Sequence, residues 1–273
     1  MNSVELFEVQ EKLPDMKAWQ TFVAGNKWVY DPVYIDTIAS SAALRGVYSN
    51  FSGSIFPALV NGKNYRESIV SKGLNSRARA VLDEVVNEVG DDLSRRILAL
   101  EAVTPFALSL RGKYPYSICT EYLRTEKDRE RHFPIPHLDL IDACFPDHVF
   151  DVVVSNDVLV HVPRLTRALS ETCRILKSGG VCLATFPFAY NSQEISVRAV
   201  ATGDKVVHLF EPEYHGNPVD SQGSLVFQVP GWDILDVCRN AGFRTAEILF
   251  VSSGARGITG ADCAGIFILR AVA

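Results

Sequence analysis

Ser155-Asn156-Asp157 closes the apolar run Phe150 to Val154, Glu101 closes Arg96 to Leu100, and Glu121 closes Tyr116 to Thr120. Hydroxyl, amide and carboxylate groups at strand ends are what fixes a polar ligand at the carboxyl edge of an open α/β sheet. A carboxylate accepts two hydrogen bonds from a vicinal diol, and Glu121 follows the first βα turn by about twenty residues, the spacing at which an acidic residue meets ribose. An exposed loop carboxylate is the competing reading. Thr104 before Pro105 has the residue types of a helix N-cap and first turn, which would aim a helix N-terminus at the same edge. His161 reads either as a general base near the ordinary imidazole pKa of about 6.5 or as a packing residue at a helix start.

Holding such residues requires a βαβ unit, and Phe150 to Pro187 supplies one. Two continuous apolar runs suit strands buried on both faces, and a helix between them makes them parallel. In that helix Leu165, Ala168, Leu169, Thr172, Cys173 and Leu176 recur at three- and four-residue steps. Pro163 stands near its start, and Gly179-Gly180 is expected to stop it. Further strands are expected at Arg96 to Leu100, Tyr116 to Thr120, Ala246 to Val251 and Ala264 to Leu269, and helices at Phe106 to Leu110, Ala78 to Val89 and Val229 to Phe243.

The stretch FDVVVSNDVLVHVPRLTRALSETCRILKSGGVCLATFP resembles motifs IV to V of the class I S-adenosylmethionine (SAM) dependent methyltransferases. That resemblance implies a Rossmann-like α/β fold: a seven-stranded, mostly parallel sheet with helices on both faces, preceded by a helical, aromatic N-terminal extension. Residues 1–90 are then the extension, as lid or cap, and 91–273 the SAM-binding domain. Glu101-Ala102-Val103-Thr104-Pro105 stands where the family carries a glycine-rich turn, as in an atypical E-x-V-T-P branch.

SAM, as cofactor or as substrate, is implied at Glu101, Thr104, Glu121, Tyr122, Asp139, Leu140, Ser155 and Asn156. His137-Leu138-Asp139-Leu140 resembles the family segment that meets adenine; a turn-capping Asp139 is the rival reading. Arg66 and Arg77 are guanidinium forks for the amino-acid carboxylate, or arginines on a solvated face. Asn156, Tyr190 and His161 are the catalytic candidates. Tyr65, Phe188, Tyr214 and His215 are the substrate-side candidates, the last two within a P-x-x-Y-H-G-x-P-like loop. Aromatic faces attract a sulfonium as they do any soft cation.

Three functions follow: methyl transfer to a small metabolite, cyclisation of SAM to azetidine-2-carboxylate with release of methylthioadenosine, and a catalytically silent protein on the same fold. The resemblance places the protein in small-molecule metabolism, including natural product biosynthesis.

With 273 residues and 47% apolar content the chain can bury a sizeable core. A net charge of −5 gives no general attraction to nucleic acid or anionic membrane. A small-molecule partner and a homodimer are the expectations. Six cysteines without a C-x-x-C pair read as reduced, buried thiols of a cytoplasmic protein, with no metal site. Trp19, Phe22, Trp28, Tyr30 and Tyr34 crowd the N-terminal segment as either a lid or a fastening clamp.

Overall fold

The computed structural model describes residues 6–203 and 205–273. Its principal strands are β1 (Glu8–Leu13), β2 (Ile97–Ala99), β3 (Ile118–Cys119), β4 (Phe150–Asn156), β5 (Leu176–Thr185), β6 (Thr245–Ser253) and β7 (Ile266–Val272). They form one seven-stranded sheet in the order β1-β6-β7-β5-β4-β2-β3. Strands β3, β2, β4 and β5 run parallel, β7 runs antiparallel to β5, and β1 runs antiparallel to β6. The sheet is therefore mixed. In the parallel centre Phe150 to Ser155 are all buried, as a strand covered on both faces requires.

The helices used below are α1 (Met16–Gly25), α2 (Pro32–Arg45), α3 (Ser76–Val89), α4 (Pro105–Lys113), α5 (Glu126–Arg131), α6 (Leu165–Ile175) and α7 (Ile234–Asn240). Helix α6 buries Leu165, Ala168, Leu169 and Thr172 of the expected stripe and Ile175 besides, while Cys173 is half-buried and Leu176 already belongs to β5. It ends before the glycine pair rather than at it. Gly179 and Gly180 lie inside β5, and a Cβ on Gly180 would come within 2.9 Å of the Lys177 carbonyl oxygen and 3.1 Å of that of Asp151. The β4–β5 register shifts here, so the glycines serve an irregularity in the ladder.

Two other expectations are corrected. Part of the N-terminal extension expected to be helical is strand β1, Glu8–Leu13, with burial alternating at period two. The helix read over Val229 to Phe243 spans only Ile234–Asn240, because Gln228–Val229 pairs antiparallel with Ser196–Val197.

The chain divides into two compact units, Met1–Asp91 with Glu247–Ile268, and Asp92–Ala246 with Leu269–Ala273. The sequence reading had assigned 247–268 to the C-terminal domain. In the first unit Trp19 packs 5.1 Å from Phe250 and 5.0 Å from Phe267 between ring centroids, and the Tyr34 hydroxyl accepts from the Phe7 amide at 2.8 Å. These aromatics fasten the N-terminal segment to the outer strands.

In the second unit, buried Cys119 is pushed up to about 11 and Cys182 to about 12 by burial, so both stay protonated at neutral pH. No helix among the described residues is long and apolar enough to cross a membrane.

Candidate functional site

In the second unit the ends of β2, β4 and β5 carry Glu101, Asn156 and Thr185. The Thr104 hydroxyl and the Asn156 amide both donate to Glu101, one to each carboxylate oxygen. Thr185 Oγ1 donates to Asn156 Oδ1 at 3.4 Å, which fixes the amide with its NH2 toward the carboxylate. Thr104 also caps α4, accepting from the Ala107 amide at 3.2 Å. Its extended backbone and the proline after it are the expected cap chemistry. Asp157 follows with φ +56°, a left-handed conformation uncommon for a residue with a side chain, held by its N–H on the Thr185 carbonyl at 2.8 Å.

Glu121 is buried and turned toward the first loop. Its Oε1 accepts from the backbone N–H of Ala102 at 2.8 Å and of Val103 at 3.4 Å. Burial pushes its pKa up, and those two amides partly counter the shift. A buried carboxylate thus braces the loop that lacks glycines, while its second oxygen has no partner among the described residues. The exposed-carboxylate reading is set aside, since Glu121 is 9% exposed.

Glu121 also bridges in parallel to His137, and the Leu138 amide donates to the Glu121 carbonyl at 3.0 Å, so Asp139 lies along the adjoining segment. Asp139 Oδ1 accepts from the Ile141 amide at 3.1 Å, capping the turn Leu140–Asp142, with Leu140 buried. The turn-capping reading of Asp139 is therefore occupied on one oxygen. Tyr122 is largely exposed, with its ring 5.6 Å from that of His137. Ser155 is buried with its hydroxyl unpartnered.

Beyond β5, Phe186, Phe188 and Trp232 form an aromatic chain with centroids 6.0 and 5.1 Å apart, and the Tyr190 carbonyl accepts from the Trp232 indole at 2.8 Å. His161 Nδ1 lies 2.8 Å from the Leu225 carbonyl oxygen, so it carries the proton there and Nε2 keeps the lone pair in the neutral ring. Burial lowers the His161 pKa, so the neutral form persists below the usual value. The His215 ring stands 5.0 Å away and nearly perpendicular, while Tyr214 is exposed. Gln228 went unnoticed in the sequence. Its buried amide donates to the carbonyls of Leu159 at 2.7 Å and Val162 at 3.0 Å and so locks the turn bearing His161. Thr185 also went unnoticed, although its place at the strand end opposite Asn156 was a usable signal.

Arg66, Arg77 and Tyr65 belong to the first unit. Arg66 and Arg77 both engage the Glu67 carboxylate, Arg77 with Nε at 3.2 Å. The Tyr65 hydroxyl donates to Asp36 at 2.5 Å. A polar contact of the first unit already holds each of these three.

His215 sits on a hairpin, Tyr214–His215 paired with Ser224–Leu225. Gly223 precedes the return strand with φ +78°, and a Cβ there would lie 2.5 Å from the His215 carbonyl oxygen. Gly223→Ala is expected to destabilise the protein by about 1–3 kcal/mol and to loosen the Leu225 carbonyl from His161. Urea unfolding measures the first effect; an unchanged midpoint would show the hairpin tolerates a side chain.

Parallel strands ending in a polar array, a capped helix facing it and an antiparallel strand beyond define the Rossmann-like class I methyltransferase fold. SAM is the cofactor of that class, and the Glu121 oxygen not taken by the loop amides fits a ribose hydroxyl. Residues 114–184 match the family model described as a methyltransferase domain. The chain is 32% identical over 117 residues to phosphoethanolamine N-methyltransferase 2 of Caenorhabditis elegans, covering 42% of this chain and 22% of that protein. It is 39% identical over 70 residues to a sarcosine/dimethylglycine N-methyltransferase of Halorhodospira halochloris, covering 23% and 25% respectively. The chain thus spans a quarter or less of the length of these curated relatives. The sugar N-methyltransferase KedS8 of Streptoalloteichus superposes with a TM-score of 0.45 at 18% identity, over 72% of this chain and 86% of that one.

Proposed function

We propose that the protein is a SAM-dependent methyltransferase whose acceptor is a small metabolite with a nucleophilic nitrogen. The observation that carries this reading is the array Glu101, Thr104, Asn156 and Glu121 at the carboxyl edge of the parallel strands, of which Glu121 and Asn156 fall within the segment that matches a methyltransferase domain. The nitrogen acceptor draws on the names of the two N-methyltransferase relatives. When bound, SAM supplies a methyl group activated by a sulfonium.

The rest falls to the chain. Glu121 would hold the ribose through its open oxygen, with Asp139 and the Leu140 amide on the adenine side. The Glu101–Asn156 pair would line the methionyl end. Phe186, Phe188 and Trp232 would present an apolar wall that excludes water, with Tyr190 beside it, and an aromatic face suits a soft cation. His161 would take a proton at Nε2. Positioning and desolvation supply most of the acceleration in a displacement of this kind. A net charge of −5 favours small molecules over nucleic acid as partners.

Incubation with SAM alone and with a panel of small amines, followed by mass spectrometry, tests the proposal. The expected result is S-adenosylhomocysteine and a methylated amine only when an acceptor is added. Methylthioadenosine from SAM alone would establish cyclisation instead. Absence of any binding heat with SAM would establish a silent protein.

A further inference from the structure

His161 is backed by a chain of charged and polar groups that the sequence left unconnected. Arg198 Nε approaches Glu213 Oε2 at 3.3 Å, and Glu213 Oε1 lies 3.3 Å from His215 Nε2. His215 in turn presents its ring to His161 at 5.0 Å and 87°. The two rings come from different segments, tied together by the Phe227 amide on the Val160 carbonyl at 2.8 Å and the Val226 amide on the Glu213 carbonyl at 2.8 Å. Arg198, Glu213 and His215 side chains retain 25%, 46% and 30% of their exposure, so the chain runs from solvent inward to His161.

We propose that His215, held by Glu213 and Arg198, is a positioning residue that keeps His161 neutral with its Nε2 lone pair available to an amine acceptor arriving as an ammonium ion. The inference rests on the methyl-transfer reading for its substrate and on geometry for the pair. Two imidazoles this close do not both carry a proton easily, and Glu213 lies against the His215 ring at 3.3 Å. The groups bearing on His161 are His215, which opposes its protonation, Asp157 and Glu213, which favour it, and the Leu225 carbonyl that fixes Nδ1–H.

The ammonium gives one proton to Nε2, and the freed nitrogen lone pair forms the C–N bond as the S–CH3 bond breaks. That electron pair leaves on sulfur, and the product nitrogen is a substituted ammonium. The imidazolium left on His161 keeps its Nδ1–H bond to Leu225 and returns its proton to solvent.

NMR titration of the histidine Hε1 signals, on the full chain without SAM, tests the pair. His215→Phe keeps an aromatic ring in place and removes the imidazole nitrogens. It is expected to raise the His161 midpoint by about half a pH unit, the effect of one charge at this distance in high dielectric. His215→Asn is the second variant, expected to move it the same way. An unmoved midpoint in both folded variants overturns the proposal, because a purely packing role predicts no change. If the midpoint moves while no amine is methylated, the pair stands and the methyl-transfer reading falls.

Discussion

Glu121→Ala is expected to weaken SAM binding about 10–100-fold and to destabilise the folded chain by about 1–3 kcal/mol, because in the proposed function one carboxylate serves both the ligand and the first loop. Losing a charged acceptor for a ribose hydroxyl costs about 1.5–3 kcal/mol, which is the affinity change. Separately, the buried Ala102 amide and the Val103 amide lose Oε1, and a buried donor left unmade costs about 1–3 kcal/mol. Glu121→Gln separates the two effects, since its amide oxygen still accepts from the loop.

The glutamine variant should recover most of the stability and little of the affinity. Titration calorimetry with SAM and with S-adenosylhomocysteine measures the binding. Wild-type affinity in Glu121→Ala would remove Glu121 from the site.

The pH dependence has a defined sign. The folded-state pKa of Glu121 is raised, so the folded chain holds this proton more tightly than the unfolded one. Its contribution to stability is present below the unfolded value and is lost as pH rises through the folded one. Binding runs the other way, since the diol needs the ionised form: SAM affinity falls on acidification, starting at a higher pH than for an ordinary glutamate.

What the sequence revealed of this site followed from how local each signal was. The β4–α6–β5 unit was legible because both strands are buried on two faces and the helix carries one apolar stripe, so composition alone marks them. Thr104-Pro105 was legible because cap chemistry lies within four residues. Strand β1 was not. Glu8 to Leu13 alternates only at an edge, and its partner β6 lies more than 230 residues away, with Glu8 opposite Ser253.

The loop-bracing role of Glu121 was likewise hidden, since a ribose acid and a loop brace use the same residue type. Gln228 reads as one more polar residue in a polar segment until the carbonyls of Leu159 and Val162 are seen beside it. Gly179-Gly180 misled because a helix stop and a strand irregularity both call for glycine.

Within the first unit, Arg79→Met is expected to cost about 3–5 kcal/mol of folding stability, the scale for breaking a buried charge network from one side. Arg79 lies on α3, 6% exposed. Its guanidinium donates to the carbonyls of Ile69 and Leu74 at 2.8 Å each, of Gly257 at 2.9 Å and of Arg256 at 3.3 Å. One side chain therefore ties α3 to two separate loops of that unit.

Burial lowers its pKa to about 10 against the pull of Asp83, so it remains charged at neutral pH. Asp83, one turn along, is itself buried and held by Arg256 at 2.8 Å, and removing Arg79 leaves that carboxylate with one cation fewer. Methionine fills the volume but supplies no donor, so the carbonyls of Ile69, Gly257 and Arg256 lose this partner together, while that of Leu74 keeps the Ser71 amide at 2.9 Å. Lysine retains the charge without the planar fork and should fall between the two.

The contrast is Arg239, whose pair with Asp236 is exposed on both sides, 43% and 67%, and whose loss should cost less than about 1 kcal/mol. Urea denaturation of the three variants orders them. Equal midpoints for Arg79→Met and Arg239→Met would mean that the carbonyls around Arg79 find water once the guanidinium is gone.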